Sequence, residues 1–437
     1  MSLNNDQKSA VEWIVKNILE DLQKGMTLVG AGGTGKTYCI MTAVARLQEA
    51  GLKVLLTAPT NKAVKQLEKA GREFNLSMNN VAFQTVHSAL GLAMLPNEDR
   101  KFAVRAGKGV VGLFDVMVVD ECSMLSRYAL FDHLIPDCEE HRTYLVFMGD
   151  DLQLPPPREP ISPVFTEFPM FRLEQNMRQA EGQLLTMNGM LRTAMMAEKP
   201  FKAPNLEGSQ VVEVKAAKFK QTVVDAFDLD TDLDAQRVLA WTNKRVSELN
   251  QAIRSKLFGK RCAPYVEEER VVTGAPIKDP DTGDILLGTD EECIVHHVDM
   301  GSSVWDEASI RDYSTIRLVL EPIHAEQGQV IAEVLHEDSV DDYRERLDSL
   351  ANEARRDPMH ARQIWKKFWE FKEKFSDIRH CYCITVHRSQ GSTFDRVFVD
   401  VKDILRNNNR AERQRLIYVG YSRPRHELYI NKSRYIA

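Results

Sequence analysis

Short, unbroken apolar runs recur along the chain, and each is closed by a polar loop. Met26–Val29 enters a glycine-rich turn and then a helical stretch from Lys36; Val54–Leu56 closes at Ala58-Pro59-Thr60. Val116–Val119 closes at Asp120-Glu121, and Tyr144–Met148 at Gly149-Asp150. Continuous apolar strands alternating with helices predict a parallel sheet covered on both faces. In such sheets ligands sit beyond the carboxyl ends of the strands, where these polar residues fall.

A second set of the same kind begins near Arg172. Val238–Trp241 leads into Thr242-Asn243 and a helix, and Tyr382–Thr385 leads into His387–Gly391. Val397–Val401, a helix from about 411 to 421 and a strand at Leu428–Ile430 complete it. Between them, residues 262–335 are rich in Gly, Pro and alternating β-formers, and residues 339–376 are charged and helical. The expected organisation is α/β: a first parallel-sheet domain over 1–170, with a hairpin subdomain at about 91–112, and a second over 171–250 and 380–437. Residues 251–379 are expected to be an insertion, β-barrel-like over about 262–335 and a helical projection over about 339–378.

Apolar residues make up 43% of the 437 residues and charged ones 27%, which excludes a wholly disordered chain. The formal net charge is −6 and the pI near 6.1. That balance argues against a protein coating nucleic acid with its whole surface, but not against a local basic track. Residues 401–437 carry nine basic against three acidic residues, while the loop at 228–234 is acidic. The opening MSLNNDQKSA is polar, and no uncharged run reaches the roughly 18 residues that span a bilayer. A cytoplasmic protein without membrane contact is expected. Of the seven cysteines only Cys381 and Cys383 are close, at a spacing that suits neither a zinc knuckle nor a redox pair; reduced core thiols are expected.

Chemistry concentrates at the strand ends. Gly30-Ala31-Gly32-Gly33-Thr34-Gly35-Lys36-Thr37 matches GxxxxGK[ST] between a strand and a helix. Its glycines let backbone N–H groups curl round phosphate oxygens, Lys36 reaches the β/γ-phosphates and Thr37 is placed to ligate Mg²⁺. Asp120 is placed to hold Mg²⁺ through water, and Glu121 to orient and deprotonate an attacking water. Gln153, in Gly149-Asp-Asp-Leu-Gln-Leu154, suits a γ-phosphate or water sensor. Arg178 and Arg423 are candidates for charge brought to the γ-phosphate from a second domain.

The ordered set of motifs resembles superfamily 1 helicases, in particular the superfamily 1B, RecD-like branch and the Dda-type helicases of bacteriophages. The carrying motifs run from Asn5-Asp6-Gln7 through the GAGGTGKT loop, Ala58–Lys62, Thr85–Ser88, Asp120–Met124 and Gly149–Leu154. They continue with Leu173–Gln179, Ala240–Asn243, Thr385–Gly391 and Tyr418–Arg423. The resemblance implies two RecA-like P-loop NTPase domains, ATP and Mg²⁺ bound between them, and 5′→3′ translocation on single-stranded DNA. It implies that Gln7 reads the adenine edge, that Gln390 and Gly391 line the far side of the ATP cleft, and that the inserted barrel is SH3-like. Single-stranded and forked duplex DNA are the implied partners, with single-strand-binding or replication proteins as further candidates, and the implied state is a monomer. The chain departs from the family pattern at Pro424, which disfavours helix at Arg423, and at Arg388, where lysine is frequent.

Pro59, Thr60, Asn61, Thr85, His87, Thr242, Asn243, Thr385 and His387 sit at positions linked in the family to nucleic acid. Each also has a plain reading as a cap or turn residue. Residues 93–109 put Arg100, Lys101, Phe102, Arg105 and Lys108 around a turn at Pro96–Asp99, resembling the duplex-splitting pin, with Phe102 expected to meet the fork. Trp365, Phe368, Trp369, Phe371 and Phe375 recur near helical spacing and read as a packing stripe rather than a base-stacking face. The leading expectation is an ATP-dependent helicase. An ATP-driven translocase that displaces bound proteins with little unwinding is the alternative, and a P-loop kinase is disfavoured by the late arginine motifs.

Overall fold

A computed structural model describes residues 3–94, 103–105, 107–175, 182–201, 210–279, 282–323 and 328–431. The described residues form two compact units, one drawn from 1–92, 105–253 and 382–437, the other from 93–104 and 254–381.

The first unit holds two parallel sheets. The strand order of one is 81–85, 54–58, 116–119, 144–149, 25–30 and 170–173, every neighbouring pair parallel. Its central strands are buried along their whole length because both faces are covered. Alternate residues serve opposite cores: Val54, Val116 and Val146 pack with the helices Asn5–Leu19 and Lys36–Glu49, whereas Leu55, Met117 and Phe147 pack with Leu130, Leu134 and Cys138. Residues 170–173 complete this sheet, so it runs just past the expected boundary at 170.

The other sheet has the order 383–385, 236–240, 394–399, 424–431 and 211–214, again all parallel. The helix Arg410–Tyr421 ends where Pro424 opens the last strand, as the proline restriction at Arg423 requires. These two sheets are the parallel α/β architecture expected from the strand–helix pattern, and the RecA-like pair that the resemblance implies.

The second unit is built on an antiparallel sheet of order 330–335, 311–322, 292–306, 270–273 and 378–380. Beside it the helices Val340–Arg356 and Ala361–Glu373 pack around Tyr313, Leu350, Trp365 and Phe371. Trp365 and Phe371 are 7% and 4% exposed and Phe368 and Phe375 pack partly buried against that cluster, so these four are packing residues, while Trp369 stands outside it. Residues 92–94 pair with 103–105 as a two-stranded ladder; residues 95–102, Phe102 among them, lie outside the described residues. All seven cysteines are free, and all but Cys262 are buried.

Candidate functional site

Because the first sheet is parallel, Gly30, Ala58, Thr85, Asp120 and Asp150 all emerge at one edge. The glycine-rich loop turns there into the helix Lys36–Glu49 through two left-handed glycines, Gly33 (φ 87°) and Gly35 (φ 82°), a conformation that penalises any Cβ. The Lys36 ammonium donates to the carbonyls of Gly30 (2.9 Å) and Ala31 (3.1 Å), and the Thr34 hydroxyl to Ala31 O (3.0 Å). Thr37 lies exposed on the first helical turn.

Gln7 reaches this loop from the first helix. Its amide Nε2 donates to Thr34 O at 3.0 Å, while its Oε1 accepts from Asn4 N at 3.1 Å in a capping box. The side chain is buried, yet a carboxamide carries two donors and two acceptors, so one proton and one lone pair remain for a ligand.

Asp120 and Glu121 follow the strand 116–119. Glu121 adopts a left-handed conformation (φ 48°), and its N–H donates to Asp120 Oδ1 at 2.7 Å. A strained non-glycine residue of this kind is characteristic of functional turns. Enclosure and the neighbouring Glu121 carboxylate push Asp120 up to about 7. Two crowded carboxylates beside a phosphate loop are the donor chemistry that a divalent cation satisfies. At the end of the next strand a Cβ on Gly149 would lie 2.7 Å from Cys122 Sγ, so glycine is what lets the two motif turns approach.

The second sheet brings its late motifs to the same place. A Cβ on Gly391 (φ 74°) would lie 3.9 Å from Glu121 Oε1. Arg423 is 5% exposed and donates to the carbonyls of Val419 (3.0 Å), Ser392 (3.0 Å) and Ser389 (3.4 Å) and to Ser422 Oγ (3.0 Å). All four acceptors are uncharged. Burial lowers its pKa, and the negative charge of Glu121 opposes that shift. Gln153 Oε1 and Gln390 Nε2 are buried without a hydrogen-bond partner. An anionic phosphate and its attacking water fit this set: a cation held by neutral acceptors, an amide N–H on Gln390 left to donate to a phosphate oxygen, and an amide oxygen on Gln153 left to accept from the water.

The threonines of the other motifs share one geometry. Thr60 Oγ1 accepts from Ala63 N, Thr85 Oγ1 from Ser88 N and Thr385 Oγ1 from Arg388 N, at 3.2–3.3 Å. Each follows a strand and caps the next turn, and each hydroxyl keeps a proton that it can donate to a phosphate oxygen. Thr242 Oγ1 caps in the same way, accepting from Arg245 N at 3.2 Å, but its hydroxyl proton is taken: the hydroxyl and the N–H both donate to Asp403, which also accepts from Trp241 N. Pro59 is half-buried, and Asn61, His87, Asn243 and His387 are exposed. Arg178 lies outside the described residues.

Sequence reasoning missed Asp403, whose buried carboxylate shapes the 241–243 turn from more than 150 positions away. It also missed Arg192, which pairs with Asp150 at 3.0 Å. Neither falls in a recognisable local pattern. Among the described residues no helix is long and apolar enough to cross a membrane.

Known proteins match this arrangement. The family model described as an AAA domain matches residues 12–158, and that of the UvrD-like helicase C-terminal domain matches 380–431. An uncharacterised protein of Acanthamoeba polyphaga mimivirus is 23% identical over 96% of this chain and 98% of its own length. The ATP-dependent DNA helicase dda of Enterobacteria phage T4 is 24% identical over 98% of both chains. A structure describing DNA unwinding at forked double-stranded DNA by two coordinating Pif1 helicases shares the fold, with a TM-score of 0.55 at 15% identity, over 99% of this chain and 92% of that one. The two family matches fall on the two parallel sheets and the relatives run the length of the chain, which is therefore similar throughout to the Dda-type DNA helicases and shares its fold with the Pif1 helicases.

Proposed function

We propose that the chain is an ATP-dependent DNA helicase that moves 5′→3′ on single-stranded DNA and splits duplex at a pin. The observation that supports this most is the meeting of Glu121 from the first sheet with Gly391 from the second, beside an Arg423 held by uncharged acceptors. A hydrolytic site assembled from two sheets is completed or broken by their relative movement, which is what a motor requires.

In this reading the loop 30–37 cradles the phosphates, with Gly30, Ala31, Gly32, Gly33, Thr34 and Gly35 supplying backbone and Lys36 its charge. Thr37 and Asp120 are the residues that would hold Mg²⁺, which when bound supplies charge neutralisation to the β- and γ-phosphates. Glu121 takes the proton of the attacking water and Gln153 aligns that water. Arg178 and Arg423 stabilise charge on the transferring phosphoryl group. Gln7 offers its remaining donor and acceptor to the adenine edge, and Gln390 and Gly391 line the opposite wall.

The DNA strand would track the carboxyl edges of both sheets. Thr60, Thr85 and Thr385 donate to its phosphates, with Pro59, Asn61, His87, Asn243 and His387 beside them and Thr242 ordering its turn. Phe102, within the 91–112 segment, meets the fork.

Lys36→Ala should abolish DNA-stimulated ATPase, and persistent hydrolysis by the pure variant would remove the site assignment. Forked duplexes with a single 5′ or 3′ tail test direction: unwinding is expected only from the 5′ tail. Phe102→Ala should keep DNA-stimulated ATPase and lose unwinding; unchanged unwinding would take the pin role from that residue.

A further inference from the structure

The Gly149–Leu154 motif is gripped by side chains from elsewhere in the same unit. Asp150 is fully buried; its Oδ1 accepts from Arg192 (3.0 Å) and Leu152 N (3.2 Å), and its Oδ2 from the Tyr418 hydroxyl (2.7 Å). Arg192 also donates to Tyr418 Oη (3.0 Å) and to Asp151 Oδ1 (3.3 Å), and Arg172 holds Asp151 through two bonds of 3.1 and 2.6 Å. Arg415 donates to the carbonyls of Asp151 (2.8 Å) and Gln153 (2.5 Å). Burial and the charge of Asp150 push the Tyr418 hydroxyl well above the usual range, so it stays protonated and donates.

Arg415 and Tyr418 lie three residues apart on one face of the helix Arg410–Tyr421. Two residues beyond that helix stands Arg423, whose Nε is held by Val419 O of its last turn. One helix therefore grips the loop carrying Gln153 and leads into Arg423. The backbone of Gln153 is fixed from outside its own sheet, while its Oε1 is buried and unpartnered. A bond to the main chain on each side of a side chain sets where that side chain points.

We infer that Tyr418, Arg415 and Arg192 are positioning residues for ATP hydrolysis, holding the 150–154 loop to the helix that leads into Arg423 so that Gln153 meets the attacking water as Arg423 meets the γ-phosphate. This rests on the hydrolytic reading above and adds to it the device that sets the two residues in step. The three side chains touch neither nucleotide nor metal in this scheme. Their contribution appears in the chemical step and not in ground-state nucleotide binding.

The test is a double-mutant cycle on steady-state, DNA-stimulated ATPase, with Tyr418→Phe measured in the wild-type protein and in a Gln153→Ala background. Loss of the bond to the buried Asp150 carboxylate, and of the one accepted from Arg192, predicts a kcat about ten- to hundredfold lower in the wild-type background. The same change in the Gln153→Ala background should cost less than about twofold, with KM for ATP held within about twofold in both. Equal losses in the two backgrounds, or a raised KM at constant kcat, would overturn the positioning role. Arg415→Met removes the bonds to two carbonyls and a charge near Asp150 and Asp151 while leaving the Tyr418–Asp150 bond in place, and gives a second cycle should Tyr418→Phe lose its thermal unfolding transition. A wild-type protein whose ATPase does not depend on Lys36 would defeat the hydrolytic reading and this inference with it. Lys36-dependent ATPase with additive losses would defeat this inference alone.

Discussion

The Gln7 amide occupies the space that a side chain on Gly35 would need: a Cβ built there meets Gln7 Nε2 well inside contact distance. The first helix and the phosphate loop are thus fitted to each other, with Gln7 Nε2 donating to Thr34 O.

Gly35→Ala should therefore suffer twice, from its left-handed φ of 82° and from displacing Gln7. The backbone part alone is worth about 1 kcal/mol or more. Fluorescent-ADP titration should show weakened binding, and adding Gln7→Ala should recover the steric share of the lost thermal stability but not the affinity, since Gln7 itself serves the nucleotide in the proposed site. Equal affinity of Gly35→Ala and wild type would refute the fit.

Arg423→Lys keeps the charge but supplies three donors from one point where the guanidinium reaches four acceptors in different directions. Buried carbonyls left unpaired cost about 1–3 kcal/mol each, so the variant should melt earlier and hydrolyse ATP slowly. Differential scanning calorimetry and ATPase assays on one preparation check both effects.

Asp403→Asn should loosen the 241–243 turn, because one carboxylate accepts from Trp241 N, Thr242 N and Thr242 Oγ1. Bonds to a charged acceptor are worth about 1.5–3 kcal/mol, and a neutral amide replaces one acceptor oxygen by a donor. Reduced affinity for oligothymidine, read by fluorescence anisotropy, together with faster amide exchange at 241–243, is the expected result. Unaltered exchange there would show that the turn stands without it.

Thiol labelling tests the core. Burial raises Cys39 and Cys138 to about 12 and Cys122 and Cys383 well above the usual thiol range, whereas Cys262 is half-buried. The thiolate is the reacting form, so those four should stay slow to label from pH 7 to about 9 until the chain unfolds, while the half-buried Cys262 is the thiol within reach of reagent. Mass spectrometry after brief maleimide treatment reads this directly.

Trp365→Ala removes a buried ring from the core between Val340–Arg356 and Ala361–Glu373. Such truncations cost about 3–5 kcal/mol. Hydrogen exchange should quicken across 340–373 while the parallel sheets keep their protection. A base-stacking role instead would leave exchange unchanged and weaken DNA binding.

Much of this protein was decided by its sequence alone. Strands, phosphate loop and caps depend on neighbours a few residues away: apolar runs bury wholly, Gly33 and Gly35 supply left-handed turns, and Thr60, Thr85 and Thr385 each cap the next turn of the chain. The length of the first sheet was less legible, since the strand 170–173 carries no sign of which sheet it joins. What only the tertiary structure decided are pairings between residues far apart in the chain. Gln7 against Thr34, Asp403 beneath Thr242, Asp150 between Arg192 and Tyr418, and Gly391 opposite Glu121 are of this kind. Local propensity and periodicity act over a turn or a strand, whereas a buried charge takes whichever partner packing brings within about 3 Å. That choice is made by the folded chain as a whole.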